Sequence, residues 1–192
     1  MADQALAWQS QTRKALAEVL GLSLADQSPL LPNSIETVDK GDYIREKLLI
    51  QTRANVNMPF YLLLPKQAAR PLPVVLAFHG HGYGVKDIVG LWEDGEERET
   101  PDGYHKDFAV ELVRAGFAVA APEIACFGER QTDFSYLNTA MGQSEPTSCA
   151  HAAMLAFHMG GSVLGMRVQD GLRLVDYLET RPELDTNRLG AM

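Results

Sequence analysis

Pro73-Val74-Val75-Leu76-Ala77-Phe78 runs apolar without a break into His79-Gly80-His81-Gly82-Tyr83-Gly84. A short continuous apolar run that dissolves into glycines predicts a strand buried on both faces, closed by a loop in which backbone approaches its neighbours closely. A second run of this kind, Phe117-Ala118-Val119-Ala120-Ala121, is stopped by Pro122. Between the two, Phe108, Ala109, Leu112 and Val113 fall on one face of a short helix, and Gly116 follows where a C-terminal glycine cap belongs. A strand, a helix and a strand in this order predict two parallel strands joined by a right-handed crossover.

The same pattern extends downstream. Val168, Leu172, Val175 and Leu178 form another helical stripe, Arg181-Pro182 ends it, and Leu189-Gly190-Ala191-Met192 reads as a third parallel strand. Upstream the period changes to two. Ile44, Leu48 and Ile50 alternate with polar residues, Glu46 being the exception on that face, and Phe60 to Leu64 forms a partner strand after the turn-rich Arg53-Ala54-Asn55-Val56-Asn57. An antiparallel hairpin therefore precedes the parallel core. Trp8, Thr12, Ala15, Leu16, Val19 and Leu20 lie on one side of a first helix ending at Gly21, and Ser28 to Asn33 reads as a linker. Residues 1–34 are thus a helix and linker, and residues 35–192 an α/β unit. Nothing repeats, and no segment is of low complexity.

A chain of 192 residues with 46% hydrophobic content can bury a core as one domain, though it is short for the mixed sheet it builds. No stretch approaches the roughly 20 apolar residues of a membrane span, and no basic start precedes an apolar run, so the expected location is the cytoplasm and no membrane partner is expected. Cys126 and Cys149 suit free thiols in a reducing compartment, a disulfide between them being the lesser alternative. A formal charge of -8 argues against a nucleic-acid surface. The run Glu93-Asp94-Gly95-Glu96-Glu97-Arg98-Glu99 reads as a solvated loop.

Several pieces together carry a family resemblance. They are the hairpin, Phe78-His79-Gly80-His81-Gly82, Ala121-Pro122-Glu123, Phe127-Gly128-Glu129-Arg130, Gly165-Met166-Arg167-Val168-Gln169-Asp170 and Arg188-Leu189-Gly190-Ala191-Met192. In this order they resemble the α/β-hydrolase superfamily, and within it the acetyl xylan esterase and dienelactone hydrolase-like branch, from about Trp8 to Met192. The resemblance implies an incomplete α/β-hydrolase fold: a mostly parallel sheet flanked by helices, with an N-terminal antiparallel hairpin. It also implies that the last strand leads into a Gly-x-Ser-x-Gly turn, whose serine is expected roughly three positions past Met192, with the acid and the histidine of the triad later still. No catalytic residue is then expected within the chain. The parent is expected to be a serine esterase for a small ester, needing neither cofactor nor metal, and the 192-residue piece alone is expected to be inactive.

What the resemblance does assign here is half of an oxyanion hole. The backbone N-H of His81 is the expected donor, with Gly80 and Gly82 shaping the loop that presents it. Tyr83, Phe127, Glu129 and Arg130 are candidates for the substrate pocket, together with Phe134 and Tyr136 in a long insertion at about 127–165. Glu123, Glu129 and Arg130 fit two roles equally, pocket lining or an ion network with Arg167 and Asp170. His79 and His81 make an incomplete metal set, Cys126 reads as a small buried thiol, and His151 and His158 fall in a segment that suits a packed helix. A peptidase, a cysteine-type dienelactone hydrolase and a non-catalytic binding protein remain alternatives on the same fold.

Overall fold

The two apolar runs are strands β4 (Leu72–Leu76) and β5 (Ala118–Pro122), paired in parallel with Val75 opposite Val119. In the computed structural model, which describes residues 2–22, 28–133 and 148–192, helix α1 (Ala2–Val19) and strands β1 (Asn33–Asp39), β2 (Tyr43–Arg53) and β3 (Val56–Pro65) come before them. Helix α2 (Phe108–Arg114) connects β4 to β5. Helices α3 (Cys149–His158) and α4 (Val163–Leu178) and strand β6 (Leu184–Ala191) complete the described chain. The sheet order is β1-β2-β3-β5-β4-β6. Its first pairings, through β3 with β5, are antiparallel, and β5, β4 and β6 run parallel.

Side chains alternate across this sheet, so each strand feeds two cores. Phe60, Leu62 and Leu64 of β3 meet Leu174, Tyr177 and Leu178 of α4 on one face. Tyr61 and Leu63 meet Val85, Ile88 and the Ala109, Val110 and Val113 side of α2 on the other. Helix α2 stops as its glycine predicts. Gly116 has φ 98, its N-H bonds to Val113 O at 3.0 Å, and Phe117 N-H bonds to Leu112 O at 3.3 Å, the two bonds of a Schellman cap.

Three features were not read from the sequence. The stretch after the expected linker is a strand, β1, whose side chains are almost all exposed, so no buried face wrote an alternation into its sequence. The α4 stripe is displaced around the helix. Leu174, Tyr177 and Leu178 enter the core, while Leu172 is 44% exposed and lines an apolar groove of about 540 Å³ with Leu164, Val168, Val175, Phe78 and Leu189. The apolar side of α1 is open too, with Trp8 67% exposed. Its end docks through Ser162 Oγ, which donates to Leu20 O at 2.8 Å. No single helix among the described residues is long and apolar enough to cross a membrane; α3 and α4 pass such a test only as a pair bent by 94°.

Candidate functional site

The loop that leaves β4 lies at the carboxyl end of the parallel strands, where open α/β sheets form their ligand crevice. Its first residue, His79, is buried with its ring against the end of β5. Its Nδ1 donates to Gly80 O at 2.9 Å, its Nε2 accepts from Ile124 N-H at 3.2 Å, and Glu123 Oε1 lies 3.0 Å from the same Nε2. That last contact is a hydrogen bond only when one of the two side chains carries an additional proton. His79 is therefore a fastening between the ends of β4 and β5.

Glu123 is the second fastening. It is 1% exposed, its Oε1 accepts from Val85 N-H at 3.0 Å, and its Oε2 accepts from Glu129 N-H at 3.4 Å. Gly84, with φ 106, packs so closely on this carboxylate that a Cβ there would lie 2.6 Å from Oε1. On the opposite side His105 accepts from Gly80 N-H through Nε2 at 3.2 Å, which leaves its ring proton on Nδ1. A Cβ at Gly80 would press on His105 and one at Gly82 on Asp87, at 3.1 and 2.9 Å. The glycines thus let the loop pass between side chains of its own protein.

Beneath the loop Arg98 is buried between carboxylates. It bonds to Asp87 Oδ1 at 3.2 Å, to Asp87 O at 2.7 Å and to Asp107, and it stacks over Trp92 at 5.1 Å. The acidic run around it is therefore a structural clamp in part, correcting its reading as a solvated loop: Glu97 also pairs with buried Arg45 at 2.5 Å. Tyr83 donates to Leu91 O at 2.9 Å and accepts from Arg98 at 2.7 Å. Burial first, then the Asp87 charge, pushes its phenol up to about 12, so it stays neutral at ordinary pH.

Held between these fastenings, the N-H groups of His81, Gly82, Tyr83 and Gly84 find no acceptor among the described residues. Consecutive free backbone donors can bind a developing negative oxygen. His81, Gly82 and Tyr83 line a cavity of about 780 Å³, which Lys86, Glu93, Glu123, Phe127, Glu129 and Gln131 complete. The His81 ring is exposed and stands edge-on to Phe127 at 5.6 Å. Lys86 Nζ is bound to Glu93 O at 2.7 Å, and Glu129 pairs with Lys47 at 2.7 Å, so two charges of the lining are held by the protein.

Other sequence candidates lie outside this lining. Arg130 turns to Asp170, at 2.7 Å, and to Glu123 O, at 3.2 Å. Arg167 bonds to Ala125 O at 2.9 Å and stacks on Phe127 at 5.4 Å. The Glu123 carboxylate lines the cavity and accepts from backbone N-H groups, and only its backbone carbonyl meets Arg130, so the ion pair of the weighed network is Arg130 with Asp170. His151 and His158 lie on α3, a helix with no buried residues, contrary to the packed helix expected there. Phe134 and Tyr136 lie outside the described residues. No group of three or more His, Cys, Asp or Glu among the described residues could hold a metal ion. Sequence reasoning missed Asp87, in the helical turn Val85–Ile88 that directly follows the loop, and His105, which reaches it through tertiary contact.

The model of the Abhydrolase family matches residues 1–190. Over 188 residues the chain is 28% identical to YtaP of Bacillus subtilis (strain 168), named as a hydrolase, covering 95% of this chain and 55% of that one. A structure from Bacteroides fragilis named as an acetyl xylan esterase superposes with a TM-score of 0.78 at 20% identity, over 96% of this chain and 46% of that one. A glucuronoyl esterase from Solibacter usitatus gives 0.55 at 20% identity, over 91% and 48%. The chain spans about half the length of the relatives it matches.

Proposed function

The chain belongs to the Abhydrolase family, and from that premise we propose that the complete protein is a serine carboxylesterase-like acyl hydrolase acting on acetyl or related small esters. Its nucleophile sits in a Gly-x-Ser-x-Gly turn entered from β6, past Met192, and the acid and histidine of the triad follow in that order. The serine attacks the ester carbonyl while the histidine takes its proton, the alcohol leaves, and a water activated by the same histidine releases the acid from the acyl-enzyme. The His81 N-H supplies one donor to the tetrahedral oxyanion, and the residue after the serine supplies the other.

The observation that carries this reading is the row of N-H groups at His81 to Gly84 that find no acceptor among the described residues, fixed by Glu123 and His105 at the edge of a cavity. Phe127 and Tyr83 give that cavity its apolar walls for the acyl or alcohol group. The apolar groove beside β6 and α4 offers a face that the helix following such a turn would cover. The names of the hydrolase and esterases given above point to the same chemistry.

The test is to read the coding DNA past Met192 and assay the whole product on a chromogenic acetate ester. The reading expects Gly-x-Ser-x-Gly immediately downstream and hydrolysis that falls at least about a thousandfold when that serine becomes alanine. A stop codon, a cysteine in the turn, or a complete product without esterase activity would overturn it.

A further inference from the structure

We propose that Cys126 and Cys149 are a redox modification site: on meeting a low-molecular-weight disulfide they close into an internal disulfide that clamps the 123–130 loop of the cavity to α3. The two thiols are far apart in sequence, yet the fold brings their chain segments together, Ser148 and Cys149 lying against Ala125 and Cys126 through shared hydrogen bonds. Neither is bonded to another cysteine. The contact is built from both sides. Ser148 Oγ reaches Cys126 O at 3.5 Å, and the one guanidinium of Arg167 donates to Ala125 O at 2.9 Å and to Cys149 Sγ at 3.3 Å. Cys126 is also held at φ 77, a left-handed backbone that side-chain-bearing residues seldom adopt and that its surroundings must enforce.

The two sulfurs differ in access, which orders the chemistry. Cys126 is 5% exposed and Cys149 is half-buried, so the reagent reaches Cys149 first. Burial, and then the neighbouring Cys149, push the Cys126 thiol up, which disfavours its ionisation and leaves it the second to react. Cys149, having lost its proton, attacks one sulfur of the reagent RSSR; that S-S bond breaks and one RSH leaves with the proton. Cys126 then gives up its proton and attacks the Cys149 sulfur of the mixed disulfide, forming the internal S-S bond and releasing the second RSH. Two protein thiols lose two electrons and two protons, and RSSR is reduced to two RSH.

The loop tied down in this way carries Phe127 and Glu129 into the cavity, so oxidation acts on the pocket wall. The site does not depend on the esterase reading and can be tested on the 192-residue chain as it stands. The chain is incubated with excess glutathione disulfide, its thiols are counted with a chromogenic reagent, and its intact mass and peptide map are recorded. Both thiols should vanish together, the mass should fall by about 2 Da with no adduct, and a peptide pair joining Cys126 to Cys149 should appear and be reversed by dithiothreitol. Cys126→Ser should instead gain glutathione on its remaining thiol, and the cross-link map of the unaltered chain decides the matter even where that variant folds poorly. Amide exchange across 123–130 should slow severalfold on oxidation. Glutathione adducts on the unaltered chain, cross-links between chains, or two surviving thiols would overturn the pair; unchanged exchange would overturn the clamp.

Discussion

Replacing Glu123 by alanine should destabilise the chain by about 3–5 kcal/mol, because the lost carboxylate strands a buried donor and disconnects two loops. The figure follows from its contacts. Val85 is fully buried and its N-H has the carboxylate as its acceptor at 3.0 Å. A hydrogen bond to a charged group is worth roughly 1.5–3 kcal/mol, and the Val85 loss belongs at the upper end because its buried donor is left unpaired. The Glu129 N-H contact is long at 3.4 Å and belongs at the low end of that range. His79 Nε2, 3.0 Å away, loses its neighbour as well. Against these stands the relief of no longer burying a charge, which lowers the sum to the range given. Glu123→Gln keeps one oxygen for Val85 but turns an amide donor toward another N-H, so about 1–2 kcal/mol is expected. The assay is urea denaturation of each variant, with ΔG taken from midpoints at an unchanged slope. Glu123→Ala within about 0.5 kcal/mol of the parent would place it among ordinary surface changes and refute the fastening.

Other expectations follow from the same geometry. Arg98→Met leaves Asp87 and Asp107 buried without their cation and should cost about 3–5 kcal/mol in the same denaturation assay; a loss under 1 would mean that the clamp is solvated. Gly116→Ala meets no atom within 4 Å, so its cost should be purely that of the left-handed backbone, about 1–2 kcal/mol. For Glu97 burial opposes ionisation, but bonds from Arg45 and Lys40 outweigh it and hold the carboxyl below its ordinary 4.5. A depressed folded pKa contributes stability above the unfolded value and loses it as pH falls through the folded one, so stability should drop below about pH 4.5. Glu97→Gln should flatten that part of the pH profile, and a profile unchanged by the substitution would contradict the pairing.

The parallel strands were legible in the sequence because burial on both faces leaves uninterrupted apolar runs, and the Gly116 cap because left-handed backbone selects glycine. β1 was not, since an edge strand with solvent on both sides carries no period. In α4 two neighbouring faces are apolar, one turned to the sheet and one to the open groove, and the spacing of Val168, Leu172 and Val175 singled out the second. At the candidate site the glycines of the loop were legible, but the reason for them was not. His105 and Glu123 crowd the loop from positions that only the fold brings near, and Asp87 does so from the turn that follows it. Arg98 was hidden in a run that looked solvated, because its partners Asp87 and Asp107 lie outside that run.

The account turns on a backbone donor at His81, and a pair of substitutions in the complete enzyme isolates it. His81→Ala keeps the N-H and should leave kcat within a few fold of the parent, whereas His81→Pro removes it and should lower kcat by about 10²- to 10³-fold. Denaturation midpoints of both variants, measured alongside, separate a lost donor from a lost fold. Equal activity in the proline variant, or an alanine variant as poor as the proline one with its stability intact, would contradict the oxyanion assignment.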